Sequence, residues 1–219
     1  MKQGPYNCGV GANISFGRAI ADCHFKACLY AGIKISSMAL ESMPGQFGFQ
    51  IGPCEGVEMG DHLWVARYIL ERVAEDFGIT VSYVPKLFND WNGSGCHTSF
   101  STETMRQGTQ GMEYIDNVIS KLETRHQQHM ELYGIDNQKR LIGALMTSVF
   151  DKFTWGVGTN HTSVRVPPQV VRAGGAGYIE DRRPASNIDP YLVISMIADT
   201  SLFGEASQAQ EVIQHFKKW

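Results

Sequence analysis

The spacing of apolar and polar residues along the chain predicts four helices. Apolar residues recur every three or four positions in four segments, each with a helix start or stop signal such as a proline or a terminal glycine. These segments are residues 17–32, 60–78, 112–134 and 191–204. In the second segment we expect Asp61 to be the N-cap, and an apolar stripe from Trp64 to Phe77 to pack on a core.

Alternation with a two-residue period predicts strands between these helices. In residues 46–51, three apolar side chains alternate with Gln46, Gly48 and Gln50. Glycine within a strand costs roughly 0.5–1 kcal/mol relative to alanine, so Gly48 indicates a bulge, a close approach by a ligand or backbone, or a lost side chain. Further strands are expected at residues 33–38, 79–85, 95–101, 153–158, 162–166 and 177–183.

The connections between these segments indicate the fold class. Several strand pairs are joined by connections too short for a crossover helix, which predicts an α+β fold, with a mostly antiparallel sheet and helices on one face. The Pro/Gly-rich stretch 166–177 is expected to be a loop. The length of 219 residues suits one large domain or, as the alternative, two small ones. We expect it to cover residues 1–204, followed by a polar helical tail at 205–219.

Composition argues against several classes of function. A formal net charge of -3 supplies no clustered positive field for nucleic acid or a membrane surface. The sequence has neither the apolar run of a signal peptide nor a stretch of about 20 apolar residues, so no membrane span is expected. The five cysteines are an odd number without C-x-x-C spacing, which favours a reducing compartment, and we expect a cytoplasmic protein.

The densest chemical signal is the stretch GYIEDRRPASNIDPY, which starts at Gly177. Glu180 could hold a cation there, while Arg182 or Arg183 binds a carboxylate or a phosphate. The alternative is an ion-paired strand end whose charges neutralise one another.

Two other strand residues also have suitable chemistry. His97 follows a glycine-rich turn, with Ser99 and Ser101 on the same face, and is either a metal ligand or a structural histidine satisfied by backbone. Arg165 is expected on the polar face of its strand, where it either serves a site or lies over the sheet surface.

Seven blocks of sequence, in their order and spacing, resemble the C-terminal catalytic domain of eukaryotic-type glutamine synthetase. They extend from about residue 4 to about residue 204 and read GPYNCGVG, ACLYAGIKI, ESMPGQFGFQIGPCEG, GDHLWVARYILERVAEDFG, DWNGSGCHTSFST, NQKRLIG and GYIEDRRPASNIDPY. The resemblance implies a curved antiparallel sheet that forms most of a funnel-shaped site for ATP, glutamate and ammonia, with two or three Mg²⁺ or Mn²⁺ ions. The implied reaction forms γ-glutamyl phosphate, which ammonia then attacks.

The resemblance also implies roles for individual residues. It makes Glu41, His97 and Glu180 metal ligands, which are side chains of types that divalent ions accept. Positions implied to bind glutamate and the transferred phosphoryl group are Trp91, Asn92, Gly93, Arg140 and Arg182. Positions implied to bind the nucleotide are Phe49, Gln50, Gly52, Pro53, Ser99, Phe100, Ser101, Arg165, Tyr178 and Glu180. The implied catalytic residues, which neutralise charge in phosphoryl transfer, are Arg140, Arg165 and Arg182.

The chain departs from the family at three places, and each departure removes a charged side chain. Gly48 stands where the family has a metal-binding glutamate, and Asn160 where it has an arginine that contacts ATP and glutamate. Leu145 and Met146 replace a His-Glu pair whose acid closes over the ammonium site. We also expect the family's N-terminal β-grasp domain, which completes the site of a neighbouring subunit, to be absent.

These departures leave three functional hypotheses. The first is a glutamine synthetase-like domain with impaired chemistry, acting as a structural or binding module that associates with itself or with a related glutamine synthetase chain. The second is an active ATP-dependent glutamate-ammonia ligase, either as part of a longer enzyme or with ligands from a partner chain. The third is a different ATP- or amine-dependent reaction on the same scaffold.

Overall fold

The computed structural model describes residues 6–204, which fall into two compact units. Unit 1 comprises residues up to Tyr83 together with Phe88–Asn92, and unit 2 comprises Val84–Leu87 together with residues from Gly93 onward. The single domain predicted over residues 1–204 stays a prediction. The tail predicted at 205–219 lies outside the described residues.

Unit 1 combines two helices with a two-stranded antiparallel sheet. A short 3-10 helix precedes the elements α1 (Arg18–Tyr30), β1 (Ile35–Leu40), β2 (Phe47–Ile51) and α2 (Glu58–Asp76). The sheet register places Ala39 of β1 opposite Gly48 of β2. The core of the unit consists of Cys28, Ile33, Ile35 and Ala66, with Phe25, Phe49, Ile51 and Ile69 packed against it.

The apolar stripe predicted for α2 is only partly buried. The helix begins at Glu58, so Asp61 lies in its first turn and is not the N-cap. The side chains on its buried side are Leu63, Ala66, Arg67 and Ala74. Of the predicted stripe, Ile69 packs against the core and Val73 is half-buried, whereas Trp64, Val65, Tyr68 and Phe77 are exposed.

Unit 2 contains a four-stranded sheet in the order β3-β6-β5-β4. The strands are β3 (Thr98–Phe100), β4 (Trp155–Val157), β5 (Val164–Val166) and β6 (Ile179–Asp181). β6 pairs antiparallel with both neighbours, whereas β4 and β5 run parallel. Its α-helices are α3 (Glu103–Gln107), α4 (Gly111–Thr124), α5 (His126–Met130), α6 (Pro168–Arg172) and α7 (Pro190–Phe203).

The core of unit 2 lies between one face of this sheet and α4. Its members are Met105, Ile115, Val118, Ile119, Leu122, Val164, Val166, Val170 and Ile179. The α4 residues in this set have the three- and four-residue spacing from which the helix was predicted. The opposite face of the sheet is therefore free to carry polar side chains.

The α+β class is confirmed, with helices and mostly antiparallel strands. The helix predicted over 112–134 is broken at Arg125, whose guanidinium bonds Asp199 and the Gly204 carbonyl. The predicted strand 79–85 is wrong, because these residues are irregular and the Tyr83 ring stacks on the Arg67 guanidinium instead. The predicted loop 166–177 contains the short helix α6.

Candidate functional site

Three residues predicted as site residues stand side by side across the sheet of unit 2. Ser99 on β3 lies opposite Glu180 on β6, and Glu180 lies opposite Arg165 on β5. Residues directly opposite one another share a face of a sheet, and Ile179 points to the core, so this row lies on the face away from the core. Arg182, two residues after Glu180, follows on the same side.

Glu180 is the centre of this row, and arginines hold both of its carboxylate oxygens. Arg165 donates from Nε to Oε2 at 2.6 Å and also contacts Oε2 through Nη2. Arg182 donates from Nη1 to Oε1 at 3.0 Å, and His97 Nδ1 lies 3.3 Å from Oε1. Burial alone would raise the pKa of Glu180, but His97, Arg182 and Arg165 lower it to about 2. The carboxylate is therefore ionised and ion-paired.

Asn160 completes this arrangement from the side of Arg165. Its Oδ1 accepts a hydrogen bond from Arg165 Nη1 at 2.5 Å. Asn160 thus helps to aim the guanidinium at Glu180.

Arg182 has one donor without an acceptor in the described structure. The residue is 8% exposed, and its Nε has no hydrogen-bond partner among the described residues. An unsatisfied buried donor costs roughly 1–3 kcal/mol. An oxygen of a bound carboxylate or phosphate would satisfy it.

Arg140 contacts the backbone after β6. It is 3% exposed, and its Nη2 donates to the carbonyl oxygens of Arg183 at 2.6 Å and Pro184 at 3.1 Å. Desolvation and the charge of Arg182 lower the pKa of Arg140 to about 10. In this position Arg140 shapes the segment that carries Arg182, and its contact with a substrate stays a prediction.

The glycine-rich turn before His97 is close to Arg140. A Cβ on Gly93 would lie 2.4 Å from the Pro85 carbonyl oxygen and 2.6 Å from Arg140 Cγ. A Cβ on Gly95 would lie 2.8 Å from Arg140 Nη1. Glycine is therefore needed here for the close approach of a buried arginine.

The other nucleotide-binding candidates of unit 2 surround this row. Phe100 packs against the core, and the Ser101 hydroxyl accepts a hydrogen bond from Arg106 at 3.2 Å. Tyr178, which precedes β6, is exposed. None of these contacts assigns a ligand, so their roles stay predictions.

In unit 1, Glu41 and Gly48 share one small space. A Cβ on Gly48 would lie 2.7 Å from Glu41 Oε1. Desolvation raises the pKa of the Glu41 carboxyl. The space beside Gly48 is thus taken by the side chain of Glu41, and not by a ligand or by backbone; the lost carboxylate at Gly48 stays a prediction.

The remaining candidates of unit 1 make local contacts. Asn92 Nδ2 donates to Ser42 Oγ at 3.2 Å, and the Trp91 ring lies 5.9 Å from that of Tyr6. Phe49 packs edge-on against the buried His24 at 4.9 Å between ring centroids. The nucleotide-binding candidates that follow Phe49 at the end of β2 are Gln50, Gly52 and Pro53, the last two joined by a cis peptide bond.

Leu145 and Met146 form a strained turn. Both have positive φ, 52° and 65°, and Thr147 N–H donates to the Ala144 carbonyl at 3.1 Å across them. Two consecutive residues at positive φ define a type I′ turn, for which Asn-Gly is favoured. A residue with a Cβ in this conformation costs roughly 1–2 kcal/mol. The loop therefore keeps a conformation that its present side chains disfavour.

Replacing Leu145-Met146 by Asn-Gly is expected to stabilise the protein by about 1–2 kcal/mol, because the new residues tolerate positive φ. The urea unfolding midpoint measures this gain. The matched control is Met146→Ala, which keeps the strained backbone and should give no comparable gain. An Asn-Gly variant no more stable than this control would contradict the strain.

A buried polar cluster on the core face of β6 escaped the sequence analysis. Asp181 accepts from Arg183 Nη2 at 2.7 Å and from the Tyr133 hydroxyl at 2.8 Å. His129 contacts that hydroxyl at 2.5 Å and Thr200 Oγ1 at 2.9 Å. His126 Nδ1 accepts from Arg183 Nη1 at 3.0 Å. We call these six residues the β6 polar cluster.

One signal in the sequence could have revealed this cluster. Polar residues recur at the three- and four-residue spacing of a helix face, at His126, His129, Tyr133, Asn137 and Arg140. All five are buried. A helical stripe of polar residues normally indicates a solvated face. The pattern therefore did not predict that these side chains are buried.

Comparison with known proteins identifies the family. A family model described as glutamine synthetase, catalytic domain, matches residues 15–117. Glutamine synthetase of Candida glabrata is 53% identical over 199 residues, which are 90% of this chain and 53% of that protein. Glutamine synthetase of Neurospora crassa is 53% identical over 207 residues, 94% of this chain and 56% of that protein. The chain belongs to the glutamine synthetase family.

Two further relatives define the extent of this likeness to glutamine synthetase. The chloroplastic glutamine synthetase of Brassica napus is 50% identical over 212 residues, 96% of this chain and 49% of that protein. A cryo-EM structure of Plasmodium falciparum glutamine synthetase has a TM-score of 0.76 at 16% identity, and the match covers 91% of this chain and 40% of that chain. That likeness supports the fold. The chain spans about half the length of the curated glutamine synthetases that it matches.

The glutamine synthetase family generally uses Mg²⁺ or Mn²⁺ with ATP. Such ions take about six ligands, mostly oxygens. The row of site residues around Glu180 offers one imidazole, His97, and one carboxylate, Glu180 itself, which is already held by two arginines. These two donors do not fit such an ion on their own. Across residues 6–204, no three His, Cys, Asp or Glu side chains form a group that could hold a metal ion.

None of the helices within residues 6–204 is long and apolar enough to cross a bilayer.

Proposed function

We propose that this chain is a glutamine synthetase-family module with impaired ligase chemistry, which acts through binding and assembly. The observation that carries the proposal is the closure of Glu180 by Arg165 and Arg182. A metal ion that bound this carboxylate would have to compete with two guanidinium groups, one of them, Arg182, largely buried. Breaking buried ion pairs is costly, because the separated charges lose their partners.

The three departures from the family support the same proposal. Asn160 supplies an acceptor for Arg165, and an arginine at this position would have none to offer. Gly48 brings no carboxylate beside Glu41. Met146 is a 54% exposed apolar residue at a position where the family carries an acid. Each departure thus removes a charged group that the ligase reaction of the family uses.

The alternative is an active ATP-dependent glutamate-ammonia ligase. In that reaction a carboxylate oxygen of glutamate attacks the γ-phosphorus of ATP, giving γ-glutamyl phosphate and ADP, and ammonia then displaces phosphate to give glutamine. The unused Nε of Arg182 favours this reading, because a carboxylate or phosphoryl oxygen would satisfy it. Three arginines against one carboxylate also give the site the positive charge that phosphoryl transfer requires.

Glutamine formation by the full chain separates the two readings. With ATP, Mn²⁺, glutamate and ammonium, we expect no glutamine above the level of Glu180→Ala, and no heat in a calorimetric titration with Mn²⁺ and ATP. Glutamine production that is lost in Glu180→Ala would establish the ligase and overturn the impaired module.

Gly48→Glu is expected to make Mn²⁺ binding detectable where the wild-type chain gives no heat, because it places a second carboxylate beside Glu41. Only the flexible end of the Glu41 side chain must move to make room. Calorimetric titration with Mn²⁺ measures the change. The matched control is Gly48→Ala, which displaces Glu41 equally and adds no ligand, so equal affinities for both variants would contradict the prediction.

We propose a second copy of this chain, or a related glutamine synthetase chain, as the partner. ATP and glutamate are the candidate small ligands, and we propose neither nucleic acid nor a membrane surface as a partner.

The five cysteines, all free thiols, support a cytoplasmic location. We expect light scattering at micromolar concentration to give a mass above that of the monomer. A uniform monomer would contradict self-association.

A further inference from the structure

The outward side of α2 carries a compact aromatic surface. Its central side chains are Trp64, Val65 and Tyr68, which are 44%, 43% and 65% exposed. Asp61 and Arg72 flank them along the helix. At 3.6 residues per turn, these five residues lie within about 100° of one another around the helix axis. We call this set the α2 surface.

Trp64 is held in place from within unit 1. The guanidinium of Arg67 lies 5.1 Å from the Trp64 ring and 5.4 Å from the Tyr83 ring, and Arg67 is only 7% exposed. This stacking orders the indole before any partner arrives. Ordered aromatic side chains lose little conformational entropy on binding, and tryptophan and tyrosine are enriched at the centres of protein interfaces.

The charges at the two ends of the surface indicate the occupant. Asp61 and Arg72 are eleven residues apart, or about 16 Å along the helix. A second α2 helix running antiparallel, about a two-fold axis between Val65 and Tyr68, brings each Asp61 opposite the Arg72 of the other copy. A parallel arrangement would bring like charges together. Arg72 also contacts Glu75 of its own chain, so its guanidinium would lie between two carboxylates.

We propose that the α2 surface binds a second copy of this chain through an antiparallel contact between the two α2 helices. A two-fold contact of this kind uses the same surface on both chains, so Val65 of each copy meets Tyr68 of the other. The inference rests on the self-association proposed above and names the surface responsible for it.

Sedimentation velocity of the full chain over a concentration series tests the contact. Tyr68→Ser is expected to weaken association about tenfold, or roughly 1.4 kcal/mol, because tyrosines near the centre of an interface often carry much of the binding energy. The matched control is Tyr30→Ser, which removes an aromatic ring that is 97% exposed at the end of α1. It should leave association unchanged.

Charge reversal tests the antiparallel orientation. Asp61→Arg and Arg72→Asp should each weaken association, because each places like charges opposite one another twice. The double variant restores opposite charges and should regain most of the affinity. Circular dichroism and urea midpoints matching the wild type confirm that the variants are folded.

The possible failures are distinguishable. A wild-type chain that stays monomeric overturns both the self-association and the α2 contact. Association that is insensitive to Tyr68→Ser and to both charge reversals leaves self-association in place and overturns the α2 contact. Weakening by both reversals without recovery in the double variant overturns the antiparallel geometry.

Discussion

Replacing Asp181 with asparagine is expected to destabilise the fold by about 3–5 kcal/mol, the usual cost of removing one partner from a buried ion pair. Asp181 is 1% exposed, and its carboxylate accepts from Arg183 Nε at 2.9 Å and from Arg183 Nη2 at 2.7 Å. Arg183 is itself fully buried. Asparagine keeps the shape but leaves this guanidinium uncompensated. Urea unfolding at neutral pH measures the loss.

The matched control is Asp136→Asn. Asp136 forms an exposed ion pair with Lys139 at 2.8 Å, and exposed pairs contribute at most about 1 kcal/mol. Equal losses for the two variants would show that the β6 polar cluster does not depend on its charge pair. A typical domain is stable by only about 5–15 kcal/mol, so the expected loss threatens folding itself.

The position of Asp181 connects this prediction to the candidate site. Glu180 and Arg182 alternate with Asp181 and Arg183, so one short segment presents ionic side chains to both faces of the sheet. On the core face, Arg183 and Tyr133 bind Asp181. The candidate site is therefore built on a strand that is held from behind by a buried ion pair.

Periodicity predicted those elements whose apolar residues are also the buried ones. In α4 the predicted stripe forms the core, and α7 begins at Pro190, the proline that signals its start in the sequence. In α2 the same method included four large residues that are exposed. A helix that buries alanines and presents aromatic residues outward cannot be oriented by hydrophobicity alone.

The sequence predicted which residues lie together at the candidate site, but not how they pair. The resemblance brought Ser99, Arg165 and Glu180 together, and the strand register places them in one row. It did not predict that Arg165 and Arg182 would occupy both oxygens of Glu180. Pairing depends on three-dimensional proximity, and neither residue spacing nor family position specifies it.

The buried histidines of the β6 polar cluster lie in a setting that excludes their charged forms. His129 is fully buried between the Tyr133 hydroxyl and Thr200 Oγ1. Tyr133 donates its proton to Asp181, so His129 Nδ1 must donate to the Tyr133 oxygen and Nε2 must accept from Thr200. This is a neutral tautomer, in which both ring nitrogens already have partners.

Nearby cations reinforce this neutrality. Burial, together with the charges of Arg183 and Arg125, holds the pKa of His129 well below its usual value. Burial and Arg183 also lower the pKa of His126, against a hydrogen bond to the Phe150 carbonyl. The carboxylates of Asp181 and Asp199 are already paired with the two arginines, so they compensate little additional charge.

Acidification is therefore expected to destabilise the protein as the pH falls below about 6.5, the usual histidine pKa in an unfolded chain. Below that value the histidines bind protons in the unfolded state but not in the folded state. The free energy of unfolding is therefore at its full value above pH 6.5 and falls as the pH declines towards the folded-state pKa. Each unit of pKa difference contributes about 1.4 kcal/mol. Urea midpoints measured from about pH 8 to about pH 5 report the slope of stability against pH.

Two variants test whether His129 causes this slope. His129→Gln should lower stability at high pH yet flatten the slope, whereas His161→Gln, at an exposed histidine, should leave the slope unchanged. A wild-type slope retained in His129→Gln would show that His129 does not cause the acid sensitivity.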